Sequence, residues 1–177
     1  MIASDIHGSA YYCRELLKCF EKENSDRLLL LGDILYHGPR NDLPKEYAPK
    51  EVISMLNVVK NSILCVRGNC DTEVDQMVLE FPMLADYAVI VEGNCMMYAT
   101  HGHIFNEENL PPLAEGNILL GGHTHIPKCE RHEHYIYMNP GSVSIPKANS
   151  HHGYMTMENN VFLWKTLSGE TVHELRM

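Results

Sequence analysis

The sequence has no C-x-x-C pair among its six cysteines, which stand at 13, 19, 65, 70, 95 and 129. That excludes a zinc ribbon and a thioredoxin-type redox motif. No apolar run approaches the roughly 20 residues of a membrane span. The chain opens Met1-Ile2-Ala3-Ser4-Asp5, without the basic and apolar segments of a secretory leader. The expectation is a cytoplasmic protein with reduced thiols, most of them small core residues. Basic residues are scarce: 14 Lys and Arg against 23 Asp and Glu, for a net charge of −9. Duplex nucleic acid and anionic membranes both call for a basic face, so neither is an expected partner. Repeats, low-complexity tracts and linkers are also missing. The 177 residues therefore read as one domain, 1–177, long enough to bury a core. A hydrophobic share of 45% with 21% charged residues excludes a disordered chain. Tryptophan occurs once, yet histidine occurs eleven times. Histidine is the commonest metal ligand and the usual acid–base group near neutral pH, so position has to separate the functional ones from the rest.

The first two-thirds alternates strand and helix patterns. Ser9 can cap a helix whose apolar residues Cys13, Leu16, Leu17 and Phe20 follow helical spacing. The run from Arg27 to Leu31 reads as a strand buried on both faces, as does Ile63 to Val66. Between them lie a Pro/Gly/Asn-rich loop, Tyr36 to Pro49, and a helical stripe of Val52, Ile53, Leu56 and Val59. After Pro82 a hairpin is expected, Tyr87–Val91 and Cys95–Ala99 around Glu92-Gly93-Asn94. Short strands come next at Ile118–Leu120, Tyr135–Met138, Tyr154–Met157 and Val161–Leu167, with Asn159-Asn160 as a turn. This order predicts two sheets packed face to face with helices outside. Only four residues precede Asp5, against about five or six for a usual strand. Either the first strand is unusually short or the native start lies a few codons upstream, which the intact mass of the natively expressed protein separates.

The residues just past each apolar strand carry the chemistry. Met1-Ile2-Ala3 leads to Ser4-Asp5-Ile6-His7-Gly8, and Leu28–Leu31 to Gly32-Asp33. Ile63–Val66 leads to Arg67-Gly68-Asn69-Cys70-Asp71, Met97–Ala99 to Thr100-His101-Gly102-His103, and Ile118–Leu120 to Gly121-Gly122-His123-Thr124-His125. In sheets of this kind ligands gather beyond the carboxyl ends of the strands. Each piece alone is weak: Gly-Asp is more often a turn, and His-x-His can be one face of a strand edge. Five strand ends bearing such residues form a coherent set: the carboxylates of Asp5 and Asp33, the amide of Asn69, and the imidazoles of His7, His101, His123 and His125. Seven ligands exceed the need of one tetrahedral ion, and a carboxylate can bridge two ions ~3.5–4 Å apart. Mixed N/O ligation without thiolate suits Mn, Fe, Zn or Ni, with Mn2+ taken first. Such a pair acidifies a bridging water into a nucleophile and neutralises phosphate charge.

In their order, Asp5-Ile6-His7, Gly32-Asp33, Gly68-Asn69-Cys70-Asp71, Thr100-His101-Gly102 and Gly122-His123-Thr124-His125, these motifs resemble the calcineurin-like metallophosphoesterase family. The likeness runs from about Ala3 to Pro146 and thins in the last thirty residues. It implies an α/β fold, a four-layer α/β/β/α sandwich of two mixed sheets. It implies hydrolysis of phosphodiesters by a hydroxide on two metals. One ion would take Asp5, His7 and His125, the other Asn69, His101 and His123, with Asp33 between them. The sequence departs from the family at Cys70, where the family carries a histidine thought to protonate the leaving oxygen. The thiol is either a weaker proton donor or simply tolerated near the site.

Around this set, Arg67 is a candidate to hold a phosphate oxygen, against a surface ion pair. Asp71 is a candidate to orient Cys70, a bound water or a neighbouring histidine. His103 reads as a solvated loop histidine, with a place beside the ligands as the alternative. The segment with His37, Arg40 and Asn41 is expected to wall the substrate cleft, and Asn139-Pro140-Gly141-Ser142 to be a turn packed under the site. His132, His134, His151, His152 and His173 read as ordinary surface or loop residues. The expected partner is a small phosphodiester. A homo-oligomer, dimer or tetramer, is an option through the hairpin edge at 87–99. Two rivals are a phosphomonoesterase and a binding module of the same fold without turnover. The second predicts missing ligands, whereas all seven positions are filled.

Overall fold

Ser9 stops one strand-to-helix connection and starts a helix: its Oγ accepts the amide of Tyr12 at 3.2 Å, capping α1, Ala10–Lys22. The structure, a computed structural model, describes residues 1–93 and 95–177; Asn94 of the expected turn lies outside the described residues. Helix α2, Pro49–Val58, begins three residues ahead of the expected stripe because Pro49 supplies a preset first helical turn. A single turn, α3, spans Glu73–Gln76.

Eleven strands occur in chain order among the described residues: β1 Ile2–Ala3, β2 Leu28–Leu30, β3 Ile63–Cys65, β4 Tyr87–Glu92, β5 Cys95–Thr100, β6 Asn117–Leu120, β7 Pro127–Arg131, β8 Tyr135–Pro140, β9 Gly153–Glu158, β10 Val161–Thr166 and β11 Thr171–Arg176. They form a six-stranded sheet, β11-β10-β9-β1-β2-β3, and a five-stranded sheet, β4-β5-β6-β8-β7. Both are mixed. β1 is parallel to β2 and antiparallel to β9, while β5, β6 and β8 run parallel and β4 and β7 antiparallel at the edges.

The apolar run at β2 explains the layering through its period of two. Leu28 and Leu30 join Cys13, Leu16, Val52 and Leu56 beneath α1 and α2, whereas Leu29 and Leu31 join Met97, Ile118, Leu120 and Trp164 between the sheets. Each buried leucine contributes about 1.5–3 kcal/mol by leaving water. The expected two-sheet sandwich is therefore present, with one adjustment. On the outer face of the five-stranded sheet Leu113, from the irregular stretch after β5, packs with Tyr98, Leu119, Tyr135 and Tyr137. No helix occurs after Gln76 among the described residues, so that outer layer is an irregular segment rather than a helical one.

Two strands, β7 and β11, have no counterpart in the hydrophobic pattern of the sequence. Both are sheet edges with Lys, Glu, His or Arg on them, the composition that protects an edge and hides the apolar alternation of an inner strand. The sandwich is tied at α1's end by Glu23, which accepts Tyr154 Oη at 2.8 Å and pairs with Lys165. Burial opposes ionisation of Glu23, but Lys165 and Tyr154 hold its carboxyl below the usual range. Stabilisation from such a group is full above the unfolded pKa of about 4.3 and is lost as pH falls through the lower folded value. Glu23→Gln is expected to cost about 1 kcal/mol at pH 7. In urea unfolding, the gap to the parent closes as pH falls toward 3; a gap undiminished at that pH would contradict the pairing.

Candidate active site

The carboxyl ends of β1, β2, β3, β5 and β6 meet at one rim of the sandwich, because close approach is built into their loops. A Cβ on Gly68 would sit 2.1 Å from Asp33 Oδ1, and one on Gly122 would sit 2.0 Å from Ser4 Oγ. Only glycine lets the β3 loop touch the β2 loop and the β6 loop touch the β1 loop. Asp5 N donates to Gly32 O at 3.1 Å and His7 N to Asp33 O at 2.9 Å, so the first two loops are zipped along their backbones.

All seven expected ligand residues converge there. Asp5 Oδ1 lies 3.3 Å from His125 Nε2 and 3.5 Å from His7 Nε2, and those two ring nitrogens are 3.2 Å apart. On the other side His101 Nε2 lies 3.0 Å from Asn69 Oδ1 and 3.2 Å from His123 Nδ1. Asp33 Oδ2 faces both groups, 3.7 Å from His7 Nε2 and 3.5 Å from His101 Nε2. Asp5, His7, Asp33, His101 and His125 are buried, His123 is half-buried and Asn69 is exposed at the mouth. Five of the seven, Asp5, His7, Asp33, His123 and His125, have backbone φ between 50° and 63°. Left-handed backbone outside glycine is uncommon and gathers at functional sites, where surrounding contacts hold it.

The donor set fits divalent ions. His7, His101 and His125 each place Nδ1 on a backbone carbonyl, of Tyr36 at 2.7 Å, Leu31 at 2.7 Å and Ile145 at 2.6 Å. A carbonyl accepts only from N–H, so each Nε2 is left to face the common centre, the arrangement of metal-ligating imidazoles. Asp5 Oδ1 is buried and takes no hydrogen bond, which is costly for a carboxylate without a cation. Burial alone would raise the Asp5 carboxyl, but His125 and His7 beside it draw it well below the usual range. Burial likewise works against charging His101, yet Asp33 and Asp5 raise it to about 9.

The remaining candidates divide. Cys70 is at the site: its amide donates to Asp33 Oδ1 at 2.8 Å and its Sγ accepts Asn69 Nδ2 at 3.3 Å. Burial, then the Asp33 charge, pushes the thiol up, so it keeps its proton. Asp71 does not orient Cys70 or a histidine by any of its hydrogen bonds. Its carboxylate accepts three backbone amides, of Gly68 at 2.7 Å, Asp33 at 2.8 Å and Ile34 at 2.9 Å, and so clamps the β3 loop to the β2 loop. Arg67 pairs with Asp86 at 2.7 Å, the ion-pair alternative to phosphate binding.

The loop after Asp33 does reach the site. Gly38 lies against Cys70, where an added Cβ would come within 3.2 Å of Sγ, and Asn41 Nδ2 pins the turn to His37 O at 2.8 Å. His103 stands closer to the ligands than an ordinary loop residue: its ring lies 5.4 Å from that of His101, and burial together with the neighbouring imidazoles lowers its pKa. The other histidines do local work, His152 stacking on Tyr12 and His132 pairing with Glu107.

Comparison with known proteins agrees with this geometry. The calcineurin-like phosphoesterase superfamily domain matches residues 1–160. The phosphodiesterase YfcE of Escherichia coli K12 is 43% identical over 172 residues, 97% of this chain and 94% of that protein. The solved structure of the E. coli phosphoesterase Yfce superposes with a TM-score of 0.96 at 42% identity, covering 99% of this chain and 97% of that one. Vacuolar Protein Sorting 29 from Cryptosporidium parvum shares the fold, with a TM-score of 0.62 at 15% identity over 99% of this chain and 96% of that one. Motif order, sandwich and sequence agree: the chain belongs to the calcineurin-like phosphoesterase superfamily and is a metallophosphoesterase.

Proposed function

We propose that this chain hydrolyses phosphodiesters and that two divalent ions, Mn2+ in the first instance, are held by Asp5, His7, Asp33, Asn69, His101, His123 and His125. The observation that carries the reading is the convergence of these side chains at one rim, His7 and His125 on the buried, unpartnered Asp5 Oδ1 and Asn69 and His123 on His101, with Asp33 between. Asp5, His7 and His125 suit one ion, Asn69, His101 and His123 the other, and Asp33 faces both. When bound, such ions turn water into a nucleophile at neutral pH and neutralise phosphate charge. The chain's own contribution is placement: backbone carbonyls fix the rings, Asp71 fixes the Asp33 and Asn69 loops, and exposed Asn69 meets the phosphate at the mouth. The diester class is supported by the likeness to the E. coli phosphodiesterase. The six unpaired thiols suit the reducing cytoplasm.

Proton donation is where this site is weak. A thiol raised by burial and by Asp33 is a poor acid for the leaving oxygen. The reading therefore favours diesters with good leaving groups. On a panel of chromogenic mono- and diesters with Mn2+, the parent is expected to prefer diesters and Cys70→Ala to stay within about tenfold of it, since little acid catalysis is lost. Cys70→His should raise rates on poor leaving groups. A parent that prefers monoesters refutes the diester assignment. A Cys70→His protein with unchanged rate and preference refutes the role given to the thiol.

A further inference from the structure

The left-handed backbone of Asp5, φ 60°, is held by a segment that comes from the far end of the chain. The Asp5 carbonyl oxygen accepts Ser142 Oγ at 3.0 Å, Ser144 Oγ at 2.9 Å and the amide of Ser144 at 3.3 Å. One register earlier, Val143 N donates to Ser4 O at 3.0 Å. Ser142 Oγ in turn accepts the amide of Ile145 at 2.9 Å, and the carbonyl of Ile145 receives His125 Nδ1 at 2.6 Å. Both serines are buried. A single strap, residues 142–145, thus grips the backbone of Asp5 at one end and the ring of His125 at the other. Between the two grips His125 Nε2 approaches Asp5 Oδ1 to 3.3 Å.

We propose that Ser142 and Ser144 are positioning residues that set the metal affinity of the Asp5–His7–His125 half of the site. The proposal rests on the two-metal function proposed for that site. Two hydroxyls are spent on one carbonyl, and that carbonyl belongs to a residue whose side chain would meet the ion. Loss of the hydroxyls frees the Asp5 backbone to leave its left-handed conformation and swings the carboxylate away from His125. Groups that orient ligands in this way typically change metal affinity about 10–100-fold when removed.

The test uses the full chain, stripped of metal and titrated with Mn2+ by calorimetry, with turnover followed against Mn2+ concentration. Ser142→Ala and Ser144→Ala should each weaken Mn2+ binding, and the double variant by about 10–100-fold. Saturating Mn2+ should return turnover of the double variant to near the parent's value. A merely structural pair of serines would lower the melting temperature of the metal-free protein and leave Mn2+ affinity alone, which overturns the proposal. If the double variant does not fold, Ser144→Ala, which keeps the Ser142 hydroxyl on Asp5, decides by the same criterion. A parent that binds no Mn2+ and turns nothing over sinks both readings. A parent that does both, with serine variants of parental affinity, sinks only this one.

Discussion

Asp33→Asn is expected to reduce Mn2+-dependent diester hydrolysis at least about 100-fold, more than loss of a group that merely orients a ligand. Asp33 Oδ2 faces both histidine groups, 3.7 Å from His7 Nε2 and 3.5 Å from His101 Nε2. Burial works against its charge, and His101 holds its pKa below the usual value nonetheless. The substitution isolates that charge. Its other oxygen accepts the amide of Cys70 at 2.8 Å, and an asparagine carbonyl oxygen accepts equally well, so the Asn69 loop stays in place. The measurement is turnover together with bound metal per chain and far-UV circular dichroism. A folded Asp33→Asn protein with parental turnover would remove Asp33 from the mechanism and with it the shared-ligand arrangement.

Asp71→Ala is expected to cause the largest loss of stability at the site. It leaves three buried backbone amides, of Gly68, Asp33 and Ile34, without their acceptor. Each unsatisfied buried donor costs about 1–3 kcal/mol, so the summed loss is about 3 kcal/mol or more. For a chain of this size that is about 6–12 °C in melting temperature. Asp71→Asn should also lose stability, because its amide nitrogen replaces the oxygen that accepts Ile34 N and turns a donor toward that N–H. The same change unclamps the β3 loop from the β2 loop, so hydrolysis should fall as well. Thermal unfolding of the metal-free variants checks the first effect. An Asp71→Asn protein as stable as the parent would show that the clamp is not what holds the two loops.

Much of the site is legible in the chain because its chemistry sits at strand ends, and strand ends are local. A run such as Leu28–Leu31 with Gly32-Asp33 after it announces both the strand and the residue that projects from its end. The parallel register of β1, β2 and β3, and of β5 and β6, then brings those ends to one rim. Less legible are elements whose role is not local. β7 and β11 carry charged residues as edges must, so their alternation is masked. Asp71 stands in the right motif, but its three amide partners include two that lie 37 and 38 residues away. Arg67 stands beside Asn69 in sequence and turns to Asp86 instead. His103 is separated from His101 by one glycine, and that short spacing is the one local sign of its place beside the ligands.

By itself the sequence determined the candidate ligand types, their order and the two-sheet class, because hydrophobic period and glycine-flanked polar residues are properties of short windows. It also determined the cysteine at position 70, where the resemblance expects a histidine. Only the tertiary structure decided which atoms face the centre. Ring orientation depends on carbonyls of Tyr36, Leu31 and Ile145, which lie 29, 70 and 20 residues from their histidines. It also decided that Ser142 and Ser144 reach Asp5 across 137 and 139 residues of chain. A hydrogen bond of that span leaves no local trace, since it is set by how two sheets pack and not by the residues on either side of it.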